Sequence, residues 1–326
     1  MLNVVGWPML ALIVTFIIGL VLIVKGGDFF VDAATWMAEV SGIPHFVIGA
    51  TVVSIATTLP ELIVSVFGAA RGTNAIAIGN AVGSVTANTG LIMAISIICI
   101  PHIVNRKQYA FKSILLLIAT AILYVSSLGK NFSLLGSVAL FAIFIAATVE
   151  SILSAKKESA ATEKTEFSKK DLPKNIIKFI IGAAGIVVGA DFLVGTATEI
   201  AKVSGVPEAV ISATIVAIGT SLPELVTTIT AIVKKQAALS VGNIIGANLI
   251  DIAIILPICS FVSNDGLKAL KQNIYSDIPV CLGVLALAVI PMLITKKFTR
   301  LQGILLLACY LFYIVFICFF NPFAIA

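Results

Sequence analysis

Long apolar segments alternate with short polar connections along almost the whole chain. A helix needs about 20 residues to cross the hydrocarbon core of a bilayer. Ten segments approach or exceed that length. The pattern therefore predicts an all-α membrane protein with ten transmembrane helices, at residues 9–35, 43–69, 74–100, 109–128, 132–153, 174–202, 206–232, 237–262, 277–295 and 301–320.

The composition supports a lipid environment. Of the 326 residues, 60% are hydrophobic and 11% are charged, whereas about a quarter of the residues of a soluble domain are charged. The five cysteines lie in apolar segments without the paired spacing of metal ligands. We therefore predict no soluble domain, no zinc site, no disulfide, no cofactor and no obligatory protein partner.

The net charge of +5 raises the possibility of nucleic-acid binding, but the distribution of basic residues indicates membrane topology instead. With ten spans and the N-terminus outside, fifteen of the 21 basic residues fall on the side that carries the polar connector 155–173. Basic residues concentrate on the cytoplasmic side of membrane proteins. Both termini are therefore predicted to be extracytoplasmic, and the compact chain favours a prokaryotic cell membrane.

The chain contains an internal duplication. A shift of 163 residues aligns Glu61 with Glu224 without a gap, and SGIPHFVIGATVVSIATTLPEL, from Ser41, matches SGVPEAVISATIVAIGTSLPEL, from Ser204, at 14 of 22 positions. Five spans per copy is an odd number, so the copies enter the membrane in opposite directions. We predict two inverted five-helix repeats, 1–154 and 174–326, joined by a cytoplasmic linker at 155–173. Inverted repeats are typical of transporters.

The clearest local motifs are ATTLPEL at 56–62 and GTSLPEL at 219–225, each inside an apolar span. Proline removes a backbone donor and disturbs the helix, which frees carbonyl oxygens. Spans 2 and 7 are therefore expected to be broken helices. Thr57, Thr58, Thr220 and Ser221 add hydroxyl groups within one turn of the glutamates.

Glu61 and Glu224 need a compensating partner, because a carboxylate at the bilayer centre costs roughly 2.5–3.5 kcal/mol even on insertion scales. Neither their spans nor the following spans carry Lys or Arg in the middle. A bound cation or protons must therefore neutralise them. Carboxylate, hydroxyl and carbonyl oxygens are the ligands that Ca²⁺ prefers.

Spans 3 and 8 carry a polar stripe at i, i+4 and i+8. The stripe is Asn80, Ser84 and Asn88 in the first copy, and Asn243, Ala247 and Asp251 in the second. Its members either line an ion site or only join helices by hydrogen bonds. Asp28 and Asp191 are also matched, and we expect a structural role for them, with Lys25 pairing with Asp28.

These motifs resemble those of the cation/calcium exchanger (CaCA) superfamily, specifically its sodium/calcium exchanger branch, whose repeats each carry a G-T-S-x-P-E-type motif. GTSLPE at 219–224 matches directly, and ATTLPE at 56–61 differs at Ala56 and Thr58. The resemblance covers almost the entire chain. It implies a secondary antiporter that exchanges Na⁺ for Ca²⁺ by alternating access, with spans 2, 3, 7 and 8 as the ion-binding core and spans 1 and 6 sliding past it.

The resemblance also implies the roles of individual residues. Thr57, Glu61, Thr220 and Glu224 would coordinate Ca²⁺, and Asn88 and Asp251 would flank the central position. Sodium sites would use the carbonyl oxygens of Ser54 and Ala217 and the hydroxyls of Ser84, Thr57 and Thr220. A further serine of the family pattern is Ala247 in this chain, which weakens one sodium site.

Three other functions are compatible with part of this pattern. A proton/calcium antiporter would use the same glutamates, because two adjacent carboxylates resist simultaneous ionisation. An intramembrane aspartyl protease would need Asp28, Asp191 or Asp251 as catalytic acids, but the position equivalent to Asp251 is Asn88. A passive channel would conduct ions without obligatory countertransport.

Overall fold

The computed structural model describes residues 4–70, 74–101, 106–129, 132–159, 171–204, 221–263 and 267–319. Helices make up almost all of these ranges. Four of the helical elements are π-helical turns, denoted π1 to π4. In chain order the elements are α1 (Met9–Ser41), α2 (His45–Ile48), π1 (Gly49–Val53), α3 (Ser54–Ala70), α4 (Asn74–Ala87), π2 (Asn88–Met93), α5 (Ala94–Cys99), α6 (Arg106–Ser127), α7 (Leu134–Ser159), α8 (Asp171–Val203), α9 (Leu222–Val233), α10 (Ala237–Ile250), π3 (Asp251–Ile255), α11 (Leu256–Val262), π4 (Asn273–Asp277), α12 (Ile278–Thr295) and α13 (Arg300–Phe319).

Eight helical segments of the described chain are long and apolar enough to cross a membrane, which makes this a multi-span helical membrane protein. They are Met9–Ser41, Ala77–Cys99, Tyr109–Ser127, Leu134–Ala155, Asp171–Ala197, Ala237–Val262, Asn273–Thr295 and Arg300–Ile317. The predicted spans 2 and 7 correspond to shorter apolar helices, His45–Leu59 and Leu222–Val233. Residues 206–220 of span 7 lie outside the described residues, so the total of ten spans stays a prediction.

Helices α1 and α8, of 33 residues each, lie against one another through glycines. A Cβ atom on Gly19 would lie 3.0 Å from the Gly189 carbonyl oxygen, and one on Gly26 would lie 2.9 Å from that of Gly182. The register of these contacts makes the two helices antiparallel. Only glycine permits such close backbone approach, and many of the large apolar side chains of both helices remain exposed on the surface of the molecule.

Two composite helices form the centre of the molecule. They are α4–π2–α5 and α10–π3–α11, and most of their residues are buried. Glycines again set the packing, since a Cβ atom on Gly49 would collide with the Leu239 carbonyl oxygen and one on Gly242 with that of Phe46. Helices α2 and π1 therefore lie directly on α10, which brings the first half of the chain into contact with the second.

Three expectations about helix ends and ion pairs need correction. Helix α7 continues through residues 155–159, inside the predicted linker, because the sequence AKKES there contains strong helix formers. Helix α8 begins at Asp171 and contains Pro173, which the first turn of a helix tolerates. Asp28 pairs with Lys234 and not with Lys25. Lys234 Nζ lies 3.4 Å from Asp28 Oδ1 and 2.7 Å from Asp32 Oδ1.

Candidate functional site

Glu61 lies inside an uninterrupted helix. It belongs to α3, which also contains Pro60, and the departure from α geometry lies upstream at π1. The prediction of a break at the proline is therefore wrong for this half of the chain. The side chain of Glu61 is 2% exposed, and its Oε1 accepts a hydrogen bond of 3.1 Å from Ser84 Oγ.

Glu224 lies at the beginning of a helix. Helix α9 starts at Leu222, with Ser221 as the preceding cap residue and Pro223 in its first turn. The side chain of Glu224 is fully buried, and its Oε1 accepts a hydrogen bond of 3.3 Å from Thr58 Oγ1. The partial positive charge of a helix N-terminus stabilises a carboxylate in the first turn.

Further hydrogen bonds join the two halves of the chain around these acids. Thr57 Oγ1 donates to Asn243 Oδ1 at 3.3 Å. Asn88 Nδ2 donates to Asn248 Oδ1 at 3.1 Å, and Asn248 Nδ2 donates to Thr89 Oγ1 at 2.9 Å. All of these side chains are buried, so the site is a network that neither half builds alone.

Asn88 and Asp251 each begin a π-helical turn, π2 and π3 respectively. A π turn shifts the register of the side chains that follow it, and such turns are frequent at functional sites. Asp251 is 1% exposed, and neither of its carboxylate oxygens has a hydrogen-bond partner within the described ranges. It therefore adds a third buried acid, without a hydrogen-bond partner among the described residues, to the site.

The electrostatics of the site call for a positive charge. Glu61, Glu224 and Asp251 are all buried, and the spans that carry these acids contain no Lys or Arg. Among the described residues, several buried oxygens have no hydrogen-bond partner: Glu61 Oε2, Glu224 Oε2, both oxygens of Asp251 and Asn88 Oδ1. A buried charge without a partner is costly, so these oxygens are suited to binding a cation.

The donor set consists of hard oxygens. No three acidic, histidine or cysteine side chains converge on one metal-sized position in the part of the chain that the structure describes. A bound ion must therefore combine carboxylates with hydroxyl, amide or backbone oxygens. Such mixed oxygen shells are characteristic of Ca²⁺ sites, and they suit neither zinc nor copper.

The structure brings together most of the residues that the sequence selected. Ser54 contributes its carbonyl oxygen, which accepts a hydrogen bond of 3.3 Å from Thr57 Oγ1. Ser221 is buried, and its hydroxyl has no partner among the described residues. Thr220 and Ala217 lie outside the described residues.

The sequence reasoning missed Asn248 and Thr89, which are part of this hydrogen-bond network. A comparison of the two copies selects polar residues that are matched, whereas Asn248 aligns with Val85 and Thr89 with Ile252. The available signal was a polar residue in the middle of a strongly apolar segment. That signal alone does not say which face of the helix the side chain occupies.

Comparison with known protein families and relatives gives consistent matches. The family model for sodium/calcium exchanger proteins matches residues 11–153 and again residues 174–319. An uncharacterized membrane protein of Methanocaldococcus jannaschii, MJ0091, is 34% identical over 302 residues, which cover 91% of this chain and 94% of the relative. The sodium/calcium exchanger MaX1 of Methanosarcina acetivorans is 27% identical over 338 residues, covering 92% and 96%.

A solved structure also resembles the whole fold. The sodium-calcium exchanger NCX_Mj, soaked with 2.5 mM Na⁺ and 10 mM Sr²⁺, superposes with a TM-score of 0.82 at 30% sequence identity. The superposition covers 94% of this chain and 99% of that protein. The similarity therefore extends over both halves of the molecule and includes the central helices.

Proposed function

We infer that the chain, which belongs to the sodium/calcium exchanger protein family, is a membrane antiporter that exchanges Na⁺ for Ca²⁺. The family and the similar proteins of known function are transporters and not enzymes. This assignment leaves the ion-binding residues, the topology and the coupling mechanism to be proposed.

The observation that carries the site proposal is the pair of buried glutamates. Glu61 and Glu224 come from different halves of the chain, and each keeps one carboxylate oxygen without a hydrogen-bond partner among the described residues. We propose that both bind Ca²⁺, together with the hydroxyls of Thr57 and Thr220. The family resemblance adds Ser54, Ser84, Asn88, Ala217 and Asp251 as groups around the flanking sodium positions, and the hydroxyls of Thr58 and Ser221 lie within the same turns.

The proposed mechanism is competition for the same negative charge. Either Ca²⁺ or several Na⁺ ions neutralise the carboxylates, and only the neutralised core passes from one access state to the other. An unoccupied core carries repelling buried acids, which disfavours the intermediate state closed to both sides. Exchange is then obligatory, because the empty site cannot complete the cycle.

Two inverted repeats, 1–154 and 174–326, provide the two access states in this proposal. The glycine contacts between α1 and α8 support it, because Gly19 and Gly182 are equivalent positions, and so are Gly26 and Gly189. Gly19 meets Gly189, and Gly26 meets Gly182. This reciprocity is expected of copies related by a two-fold axis. The separate family matches to 11–153 and 174–319 agree with it.

The proposed location is the cell membrane, with both termini outside and the connector between α7 and α8 in the cytoplasm. The asymmetry of the basic residues supports this orientation. The substrates are Ca²⁺ and Na⁺, the environment is the lipid bilayer, and the proposal requires neither a cofactor nor a protein partner.

The test is Ca²⁺ uptake into proteoliposomes loaded with Na⁺, compared with vesicles loaded with choline. We expect uptake only with the outward Na⁺ gradient, and loss of uptake in Glu61→Gln. Glu199→Gln is the matched control, because Glu199 is a largely buried acid on α8 that accepts a hydrogen bond from Gly6 N and takes no part in the hydrogen bonds described for the site. Uptake driven by an imposed proton gradient without Na⁺ would assign the protein to proton coupling, and downhill uptake without any counter-ion would indicate a channel.

A further inference from the structure

A largely apolar cavity lies beside the proposed ion site. It has a volume of about 300 Å³ and lies among α2, π1, α3, α6, α7 and the C-terminal end of α10. Its walls are mainly apolar and include Val47, Ile55, Phe144, Ile152 and Leu249. A cavity of this size is large enough for part of a lipid chain, and Ser54 is the one lining residue that it shares with the proposed ion site.

One buried ammonium group faces this cavity. Lys112, on α6, lines the cavity and is 1% exposed. Its Nζ has no hydrogen-bond partner among the described residues and lies 5.4 Å from the centroid of the Phe46 ring. The neighbouring acid Glu150 accepts a hydrogen bond of 2.6 Å from Ser154 Oγ and makes no ion pair with Lys112 within the described part of the chain. Lys112 therefore has no anionic hydrogen-bond partner among the described residues.

The hydroxyl groups in the cavity wall do not compensate for this. Thr51 Oγ1 donates to the Val47 carbonyl oxygen at 2.7 Å, and Ser151 Oγ donates to the Ala147 carbonyl oxygen at 2.7 Å. Ser54 Oγ likewise donates to the Thr51 carbonyl oxygen at 3.1 Å. A cavity with apolar walls, satisfied hydroxyls and a positive charge repels Na⁺ and Ca²⁺, so it is unsuited to be a route for these ions.

The cavity extends from the level of the lipid headgroups towards the bilayer centre, as a bound lipid does. Lys112 is three residues from Tyr109, where the apolar part of α6 begins, which is about 4.5 Å along a helix. The ammonium group therefore lies near the level of the lipid headgroups. Ser54, at the other end of the cavity, is nine residues from His45, or about 13 Å along its helical path. The charged end is thus shallow, and the apolar walls extend towards the bilayer centre.

We propose that this cavity binds an anionic phospholipid of the surrounding membrane. The phosphate of the headgroup pairs with Lys112 Nζ, and one acyl chain lies along the walls formed by α7 and α10. A phosphate anion supplies the hydrogen-bond acceptors that Lys112 lacks, and the chain fills apolar space that water does not favour. The inference does not depend on which ions are transported, because lipid binding is measured without transport.

The experiment measures lipid retained by the purified full-length chain in detergent, with equal amounts of phosphatidylglycerol and phosphatidylcholine offered and bound lipid counted by native mass spectrometry. The native chain should prefer phosphatidylglycerol by at least about fivefold, the effect of one lysine near an anionic membrane surface. Lys112→Met should abolish the preference. Lys174→Met, which removes an exposed lysine at the start of α8, should leave it unchanged.

Two further measurements keep the proposal falsifiable if Lys112→Met fails to fold. Ala147→Leu fills the wall of the cavity while keeping the charge, and it should reduce retention of both lipids. Lys112→Arg should keep the preference for phosphatidylglycerol. An unchanged preference in Lys112→Met would overturn the proposal, as would equal loss in Lys174→Met. Binding of free fatty acid in place of phospholipid would also overturn it.

Discussion

The two halves of the proposed ion site carry the same acid in different local structures. Glu61 lies within α3 and receives a hydrogen bond from Ser84 of its own repeat. Glu224 lies in the first turn of α9 and receives a hydrogen bond from Thr58 of the other repeat. The serine that serves Glu61 is replaced by Ala247 at the equivalent position, which is fully buried on α10.

This difference shows which features of the duplicated site are shared and which have diverged. The carboxylates and prolines are the same in both copies, whereas Ser84 and Asn88 have become Ala247 and Asp251. One half therefore has more neutral hydrogen-bonding groups, and the other has more negative charge. We infer that the glutamates bind the divalent ion together, and that the diverged residues adjust the affinity for Na⁺ on each side.

The largest expected effect comes from the shared acids. Glu61→Gln and Glu224→Gln should each lower Ca²⁺ affinity by about 100-fold or more, because removing one partner of a buried charge pair costs about 3–5 kcal/mol. Isothermal titration calorimetry on the purified variants measures this loss, with Glu199→Gln as the control. Native affinity in only one of the two glutamate variants would show that the halves do not share the ion.

A smaller effect is expected from the hydroxyl that only the first half possesses. Ser84→Ala removes the hydrogen bond to Glu61, and hydrogen bonds to charged groups contribute about 1.5–3 kcal/mol. The Na⁺ concentration that half-activates exchange should rise by roughly tenfold. Na⁺-dependent Ca²⁺ uptake over a series of Na⁺ concentrations checks this, and an unchanged half-activating concentration would remove Ser84 from the site.

The reverse substitution tests the second half. Ala247→Ser restores a hydroxyl at the position equivalent to Ser84, and Glu224 Oε2 has no hydrogen-bond partner among the described residues. The half-activating Na⁺ concentration should fall by roughly tenfold, corresponding to one additional hydrogen bond to a carboxylate. A rise in that concentration would mean that the site has no space for the hydroxyl.

The smallest effect is expected at the diverged acid. Asp251→Asn makes the second half resemble the first, in which Asn88 occupies the equivalent position. We expect exchange to continue with a change in maximal rate of about threefold or less, because the amide keeps the shape and removes only a charge that is not paired. Steady-state uptake at saturating Na⁺ measures this rate. Complete loss of exchange would make Asp251 an essential ligand.

The sequence was sufficient to select the two glutamates around which the candidate site is described, and ion binding by them stays a prediction. Apolar segments of membrane length and a gapless internal alignment located the paired glutamates in a helical membrane protein. The structure then brought Thr58 beside Glu224 and Ser84 beside Glu61. The contact between Thr58 and Glu224 joins the two copies and is consistent with equivalent motifs that meet, whereas the contact between Ser84 and Glu61 lies within one copy.

Other features were not predictable, for identifiable physical reasons. The π turns at Gly49, Asn88 and Asp251 depend on how neighbouring helices pack, and no residue pattern marked them. The proline motif suggested a break in α3, but α3 is continuous in the structure. The pairing of Asp28 with Lys234 joins residues far apart in the chain, whereas sequence spacing suggested only the local partner Lys25.

The most direct test of a shared site is the competition of Na⁺ with Ca²⁺ at equilibrium. Radioactive Ca²⁺ bound to the purified native chain is measured while the Na⁺ concentration is raised at constant ionic strength with choline. The account predicts that Na⁺ displaces Ca²⁺ completely and with a cooperative dependence, since more than one Na⁺ replaces each Ca²⁺. Ca²⁺ binding that Na⁺ does not reduce would contradict the claim that both ions neutralise Glu61 and Glu224.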